Sequence, residues 1–205
     1  MKISYLDGKR LYYAVLAGGK AVIADQAFLN RINVFPVADA DTGTNMASTM
    51  RAIARRAKAF RSPKETLSSI ADAALAGARG NSGIIFAQFL VGLSRELKQD
   101  FKLSTRQFAE AVKRAVPHAR QAVASPAEGT ILSVMDDWAE CLYRDRHSFE
   151  DYTELLSHSL KEAERSLKET SVKLSALAKA SVVDAGARGF FDFIQGIMSF
   201  ICKGD

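Results

Sequence analysis

The chain has 205 residues, 48% of them hydrophobic and 25% charged, enough to bury a full core and too apolar for a disordered or collagen-like chain. No uninterrupted apolar run reaches the roughly 18 residues of a membrane span, and residues 1–10 are too polar for a secretory signal. The net charge of +5 reads as a solubilising excess spread along polar faces, not as a nucleic-acid-binding cluster.

Taken in chain order, the sequence predicts helices and almost no strands. The first spans 8–32, with Leu11, Tyr12, Val15, Leu16, Val22 and Ile23 on one face at helical period. A second covers 43–60. A third, 63–78, opens on Ser62-Pro63-Lys64-Glu65, which combines a Ser cap, Pro at the first helical position and Glu three residues after the Ser. Residues 81–99 are apolar on more than one face and form a central helix. Ser104-Thr105-Arg106-Gln107 opens 104–123, and Ser125-Pro126-Ala127-Glu128 opens 126–145, whose stripe is Ile131, Leu132, Met135, Trp138 and Leu142. Ser148-Phe149-Glu150-Asp151 opens 148–169, residues 170–183 read as a short helix or a loop, and 186–202 closes the chain. That last helix is apolar on most sides, so it is either buried or meets a further domain. Short connections favour antiparallel neighbours and a single domain over 1–205. Cys141 and Cys202 lie in apolar helical stretches with no Cys or His at metal-ligand spacing, which suits free thiols in a reducing cytoplasm.

Three breaks in the helical rhythm hold the chemistry. In residues 33–46, Asp39 and Asp41 alternate in an extended stretch and so point the same way. Such a pair suits a hard cation such as Mg²⁺, and Gly43, Thr44 and Asn45 then open a helix whose N–H groups favour an anion. The competing reading is that the two carboxylates only cap that helix. Gly77-Ala78-Arg79-Gly80-Asn81-Ser82-Gly83 brings backbone close to a ligand or is a tight helix–helix turn; its spacing is neither a Walker loop nor a dinucleotide fingerprint. Glu128-Gly129-Thr130 and Asp184-Ala185-Gly186 each set glycine beside a polar side chain at a helix start, as a cap or a site. In an up-and-down arrangement the helices opening near 43, 81, 126–128 and 186 all begin at one rim, a plausible place for a magnesium–nucleotide. His118, His147 and His158 lie outside these loops.

The motifs Asn33 to Met46, Gly77 to Gly83, Glu128-Gly129-Thr130-Ile131-Leu132 and Val182-Val183-Asp184-Ala185-Gly186 resemble those of the DAK2 family, which includes the L subunit of dihydroxyacetone kinases and the N-terminal domain of bacterial fatty acid kinases. The Asn-Val-Phe-Pro-Val stretch, the Gly-Ala-Arg-Gly-Asn-Ser-Gly loop and Thr42, where the dihydroxyacetone branch carries His, resemble the fatty acid branch more. The resemblance implies an all-α antiparallel barrel of about eight helices with a nucleotide site at one end. It further implies Mg²⁺ held by Asp39 and Asp41, with Asn33 as a tentative third ligand. ATP or ADP would meet Thr42, Gly43, Thr44, Asn45, Asn81 and Ser82 at its phosphates, and Gly129, Thr130, Asp184, Ala185 and Gly186 at its ribose and base. The family's usual Pro-Asp-Gly-Asp loop reads Ala38-Asp39-Ala40-Asp41 here. The implied reaction is transfer of the γ-phosphoryl group of ATP to a fatty acid carboxylate in the cytoplasm. The acyl chain would be presented by a partner protein that docks on downstream domains outside this chain. The alternatives are a dihydroxyacetone-kinase-like ADP-binding subunit and a non-catalytic nucleotide-sensing module.

Overall fold

The computed structural model describes residues 2–203. In chain order these form β1 (Tyr5–Leu6), α1 (Gly8–Ala24), a short α2 (Gln26–Arg31), α3 (Thr42–Arg56), α4 (Pro63–Gly77), α5 (Gly80–Glu96) and β2 (Leu103–Ser104). They continue with α6 (Thr105–Arg120), α7 (Ile131–Arg144), α8 (Tyr152–Lys173), a short α9 (Ser175–Ala180) and α10 (Ala185–Lys203). No described helix is long and apolar enough to cross a membrane.

The eight long helices close a ring. Helix α1 packs on α3, each of α3 to α7 packs on the next in the chain, α8 packs on α10, and α10 returns to α1. The fold is therefore the all-α antiparallel barrel inferred from the sequence, with α2 and α9 as short additions. Because direction alternates around the ring, the segments 25–41, 78–79, 121–130 and 174–184 gather at one rim. The other rim is tied by the ribbon of β1 and β2, in which Tyr5 stands opposite Ser104. There the fully buried Tyr152 donates its hydroxyl to the carbonyls of Leu103 and Ser104 at 3.0 and 3.1 Å.

The interior of the ring is filled with aromatic side chains. Phe86 of α5 meets Phe193 of α10 edge-on at 4.7 Å between ring centroids. Phe190 touches Phe86, Phe89 and Trp138 at 5.6–6.4 Å. All five rings are buried. This accounts for the all-round apolar sequence of α10. Phe190, Phe193 and Ile194 are buried in the barrel, whereas Ile197, Met198 and Phe200 lie half-buried against its core.

Several boundaries differ from the sequence expectation, each for a local reason. The helix predicted over 8–32 breaks at Asp25, whose N–H turns back to the carbonyls of Ala21 and Ile23. The helix predicted from 126 begins at Ile131, so Ser125-Pro126-Ala127-Glu128 is not a cap; Gly129 takes φ +79°, which helical backbone cannot continue. Helix α8 starts at Tyr152, capped by Asp151, whose carboxylate accepts the Thr153 N–H at 2.7 Å, and reaches Lys173; the rest of the ambiguous stretch 170–183 holds the short α9, Ser175–Ala180, and a loop. Pro63 does open α4, but the Ser62 hydroxyl is buried without a partner and makes no cap. The Ser104–Gln107 capping box forms in full.

The positive charge is not evenly spread either. Residues 1–64 hold eleven Lys and Arg against four Asp and Glu. Most ion pairs of the described residues lie on α6 to α8. Eight of those eleven, Lys2, Lys9, Arg10, Arg55, Arg56, Lys58, Arg61 and Lys64, lie at or before the start of α1 or at and beyond the end of α3, at the rim opposite the acidic loop.

Candidate functional site

The acidic loop is shaped by one buried amide. Asn33 accepts the N–H groups of Asp41 (3.3 Å) and Thr42 (2.9 Å) at its Oδ1 and donates Nδ2 to the Val37 carbonyl at 3.1 Å. Both lone pairs of its oxygen thus face N–H groups, which present positive charge where a cation would have to approach. Asn33 is a loop-organising residue, and the tentative metal role does not fit its geometry. The same bonds leave the two carboxylates uncommitted. Asp41 occupies the cap position of α3, yet its side chain accepts no bond from the helix. Asp39 and Asp41 are both exposed and make no side-chain hydrogen bond or ion pair among the described residues. Between them Ala40 is held at φ +55°, the left-handed region where glycine is at ease.

The first turn of α3 is more heavily engaged than its sequence suggests. The Thr44 N–H goes to Asn30 Oδ1 at 3.0 Å, and its Oγ1 accepts from Asn30 Nδ2 (3.0 Å) and Gln26 Nε2 (3.3 Å). The Asn45 N–H goes to the Asp41 carbonyl at 2.9 Å. With Thr42 bonded to Asn33, Gly43 keeps the one first-turn N–H without a partner among the described residues. Gln26 and Asn30 on α2 were not legible as site residues, because the unbroken helix expected over 8–32 hid the separate element that carries them.

The other loops converge on this helix start. Gly80 opens α5 at φ +57°, and a Cβ there would lie 2.3 Å from Asn45 Nδ2. A Cβ on Gly186 would lie 3.0 Å from Ser82 Oγ and 3.4 Å from Ile131 Cβ. An open cavity of about 430 Å³ lies between the starts of α5 and α7 and the residue before α10. Phe35 and Pro36 of the acidic loop, Asn81 and Ser82 of α5, and Thr130 and Asp184 line its polar parts and mouth. Ile85, Val123, Ile131 and Leu132 supply apolar wall. Of the residues predicted for the site, Asn81, Ser82, Thr130 and Asp184 line this cavity; Gly129 stands behind the wall against Lys173 and Leu174, Ala185 is buried, and Asp39, Asp41, Thr42, Gly43, Thr44, Asn45 and Gly186 are not part of the lining. The stretch Ala122–Ala127 is a further wall that the sequence did not announce, since it reads as helix on either side of Ala124.

Asp184 joins two helix starts. Its Oδ2 accepts the N–H groups of Ile131 (3.0 Å) and Ala187 (2.8 Å), and its own N–H donates to Thr170 Oγ1 at 3.0 Å. Burial pushes this carboxyl up to about 6 in spite of those bonds. Across the loop, Arg120 bridges Glu128 and Asp136, and Glu128 also accepts the Ser133 hydroxyl; that hydroxyl, followed by Arg120, holds its carboxyl below the usual range.

Comparison with known proteins agrees with this architecture. A family model described as the DAK2 domain matches residues 36–199, and the chain belongs to that family. Protein YloV of Bacillus subtilis is 34% identical over 207 residues, covering 100% of this chain and 37% of YloV. The protein SSP1546 of Staphylococcus saprophyticus is 34% identical over 205 residues, covering 99% of this chain and 37% of its own length. The chain thus spans little more than a third of these curated relatives. Among solved structures, the native dihydroxyacetone kinase of C. freundii superposes with a TM-score of 0.71 at 16% identity, over 92% of this chain and 34% of that one. The same kinase in complex with AMP-PNP and Mg²⁺ gives 0.67 at 14% identity, over 95% and 34%. At such identities the likeness is one of fold.

Proposed function

We propose that this domain binds a magnesium–ATP complex at the loop rim and serves a kinase that transfers the γ-phosphoryl group to a fatty acid carboxylate presented by a partner protein. The observation that carries the nucleotide reading is the pair Asp39 and Asp41. They are exposed, take no part in capping, and belong to the same loop as Phe35 and Pro36 at the cavity mouth. Two hard oxygen donors in that state fit Mg²⁺, which takes few protein carboxylates and completes its shell with water and phosphate. When bound, the ion would supply neutralisation of phosphate charge.

The chain's own residues would do the rest. The Gly43 N–H at the positive end of α3 suits a phosphate oxygen, and Asn45, Asn81 and Ser82 offer side-chain donors beside it. The apolar wall of Ile85, Val123, Ile131 and Leu132 suits a base and keeps water from it. The C. freundii kinase, solved with a nucleotide analogue and Mg²⁺, supports the same reading. Support for the fatty acid branch is the resemblance of the Asn33–Val37 and Gly77–Gly83 motifs and Thr42. Since the relatives are far longer, the acyl-presenting partner would meet parts of the whole protein beyond this domain.

Ala38 and Ala40 in the acidic loop favour, as a second reading, a module that senses nucleotide without turnover. Thermal melting with ATP, with and without Mg²⁺, tests binding. Ligand at 100 times its Kd adds about 2.7 kcal/mol, and the Asp39→Ala, Asp41→Ala double variant should lose the Mg²⁺-dependent shift while its ligand-free melt is unchanged. A shift that survives the double variant refutes the metal assignment. Acyl phosphate formation by the full-length protein with a fatty-acid-loaded partner then separates kinase from sensor.

A further inference from the structure

At the rim opposite the loops, the last turn of α7 faces the second turn of α8. Cys141 and Asp145 stand four residues apart at the end of α7, and His158 reaches them from α8. Asp145 Oδ2 lies 3.0 Å from His158 Nε2 and 3.8 Å from Cys141 Sγ, and one donor atom from each residue lies within 4.8 Å of the others. A tetrahedral zinc site, with bonds of about 2.0–2.3 Å, separates its donors by roughly 3.3–3.8 Å. The three groups are therefore near ligating distance before any ion pulls them in. Local spacing along the chain gave no sign of this; the turn over 145–151 creates it by folding α8 back on α7.

The donor set selects the kind of ion. A thiolate, an imidazole and one carboxylate suit a borderline divalent transition ion and not Mg²⁺, which prefers oxygen. Cys141 is buried and would form the dry base of the site, while the exposed His158 leaves a fourth position open to water. The Phe149 ring packs against the imidazole at 5.2 Å between centroids and holds it in place. Arg144 Nη2 sits 3.0 Å from Asp145 Oδ2 and 3.7 Å from Cys141 Sγ, in the role of a counter-ion. Its side chain is 61% exposed and free to swing into solvent.

We propose that Cys141, Asp145 and His158 bind a divalent transition ion of the Zn²⁺ or Co²⁺ type that braces the junction of α7 and α8, independently of the loop rim. Binding releases the thiol proton to solvent and displaces the Arg144 guanidinium.

Co²⁺ titrated into the protein in the presence of excess Mg²⁺ tests this. A thiolate-to-cobalt charge-transfer band should grow to one ion per chain and vanish when Zn²⁺ is added. Cys141→Ser should abolish the band, whereas Cys202→Ser, which removes the other, exposed thiol, should retain it. His158→Gln should weaken binding at least about tenfold. Arg144→Ala should tighten it, a direction that a purely structural role for Arg144 does not give. Absence of the band in the unaltered protein, its survival in Cys141→Ser, or its loss in Cys202→Ser overturns the proposal. If Cys141→Ser does not fold, the exposed His158→Gln decides alone: unchanged Co²⁺ affinity overturns the site.

Discussion

The carboxylate of Asp184 at the head of α10 accepts the backbone N–H of Ile131 at the head of α7 across 3.0 Å, and the same oxygen accepts from Ala187. One buried side chain therefore satisfies the starts of two helices that are 54 residues apart in sequence. Because Asp184 also lines the cavity, its charge links the shape of the rim to pH.

The sign of that link follows from burial. The carboxyl is raised to about 6 in the folded protein, against about 3.9 in an unfolded chain. A raised acid holds its proton more tightly when folded. Its contribution to stability is complete below about pH 4 and is lost as pH rises through 6, in all about 3 kcal/mol. Asp184→Asn keeps an acceptor for the N–H groups and removes the titration. Urea unfolding of both proteins should show the difference, wild type minus variant, shrinking by roughly 1 kcal/mol between pH 5 and 7.5. Asp192, also raised to about 6 by burial, titrates in both proteins and cancels. A difference that stays flat with pH rules the assignment out.

Ala40 keeps a glycine's conformation without being glycine. Left-handed backbone costs an L-residue about 1–2 kcal/mol, and glycine's extra freedom in the unfolded chain returns about 0.5–1 kcal/mol of that. Ala40→Gly should therefore stabilise the domain by about 0.5–1 kcal/mol in urea titrations. A destabilised Ala40→Gly variant would show that the loop does not hold φ +55° in solution.

What could be read in the sequence followed from locality. The Ser104–Gln107 box formed because all its partners lie within one helical turn. The same pattern at Ser125–Glu128 misled, because Glu128 is taken by Ser133 and Arg120 and the true cap of α7 comes from Asp184. The two carboxylates, the glycine loops and their common rim were legible as spacing and alternation of helix direction. The jobs of Asn33, Asn30 and Gln26 were not, since each acts on a backbone or side-chain group in a different element.

Phe190 is the centre of the filled barrel, fully buried and touching Phe86, Phe89 and Trp138. Phe190→Ala removes a ring from three aromatic neighbours and should cost about 3–5 kcal/mol, a fall in Tm of order 10 °C for a chain of this size. Phe190→Leu keeps most of the volume and should cost much less. Calorimetry on the pair checks whether the ring interior is a packed core. Equal, small losses would mean that it is not.

Asn33 offers the sharpest separation of stability from binding. Asn33→Ala leaves the N–H groups of Asp41 and Thr42 without their acceptor, at a cost of about 1–3 kcal/mol where they stay away from water. It also frees the segment that presents Asp39 and Asp41, so Mg²⁺-dependent ATP affinity should fall although no ligand atom has been removed. Asn33→Asp keeps an acceptor at the same place, loses only the bond to Val37 and adds a negative charge to the loop. It should fold nearly as well as the wild type and bind Mg²⁺ no more weakly than Asn33→Ala. Chemical denaturation and calorimetric titration of both variants resolve the two effects. If Asn33→Ala binds magnesium–ATP as tightly as the wild type, Asn33 does not organise the carboxylates, and the link from buried amide to exposed acidic pair is broken.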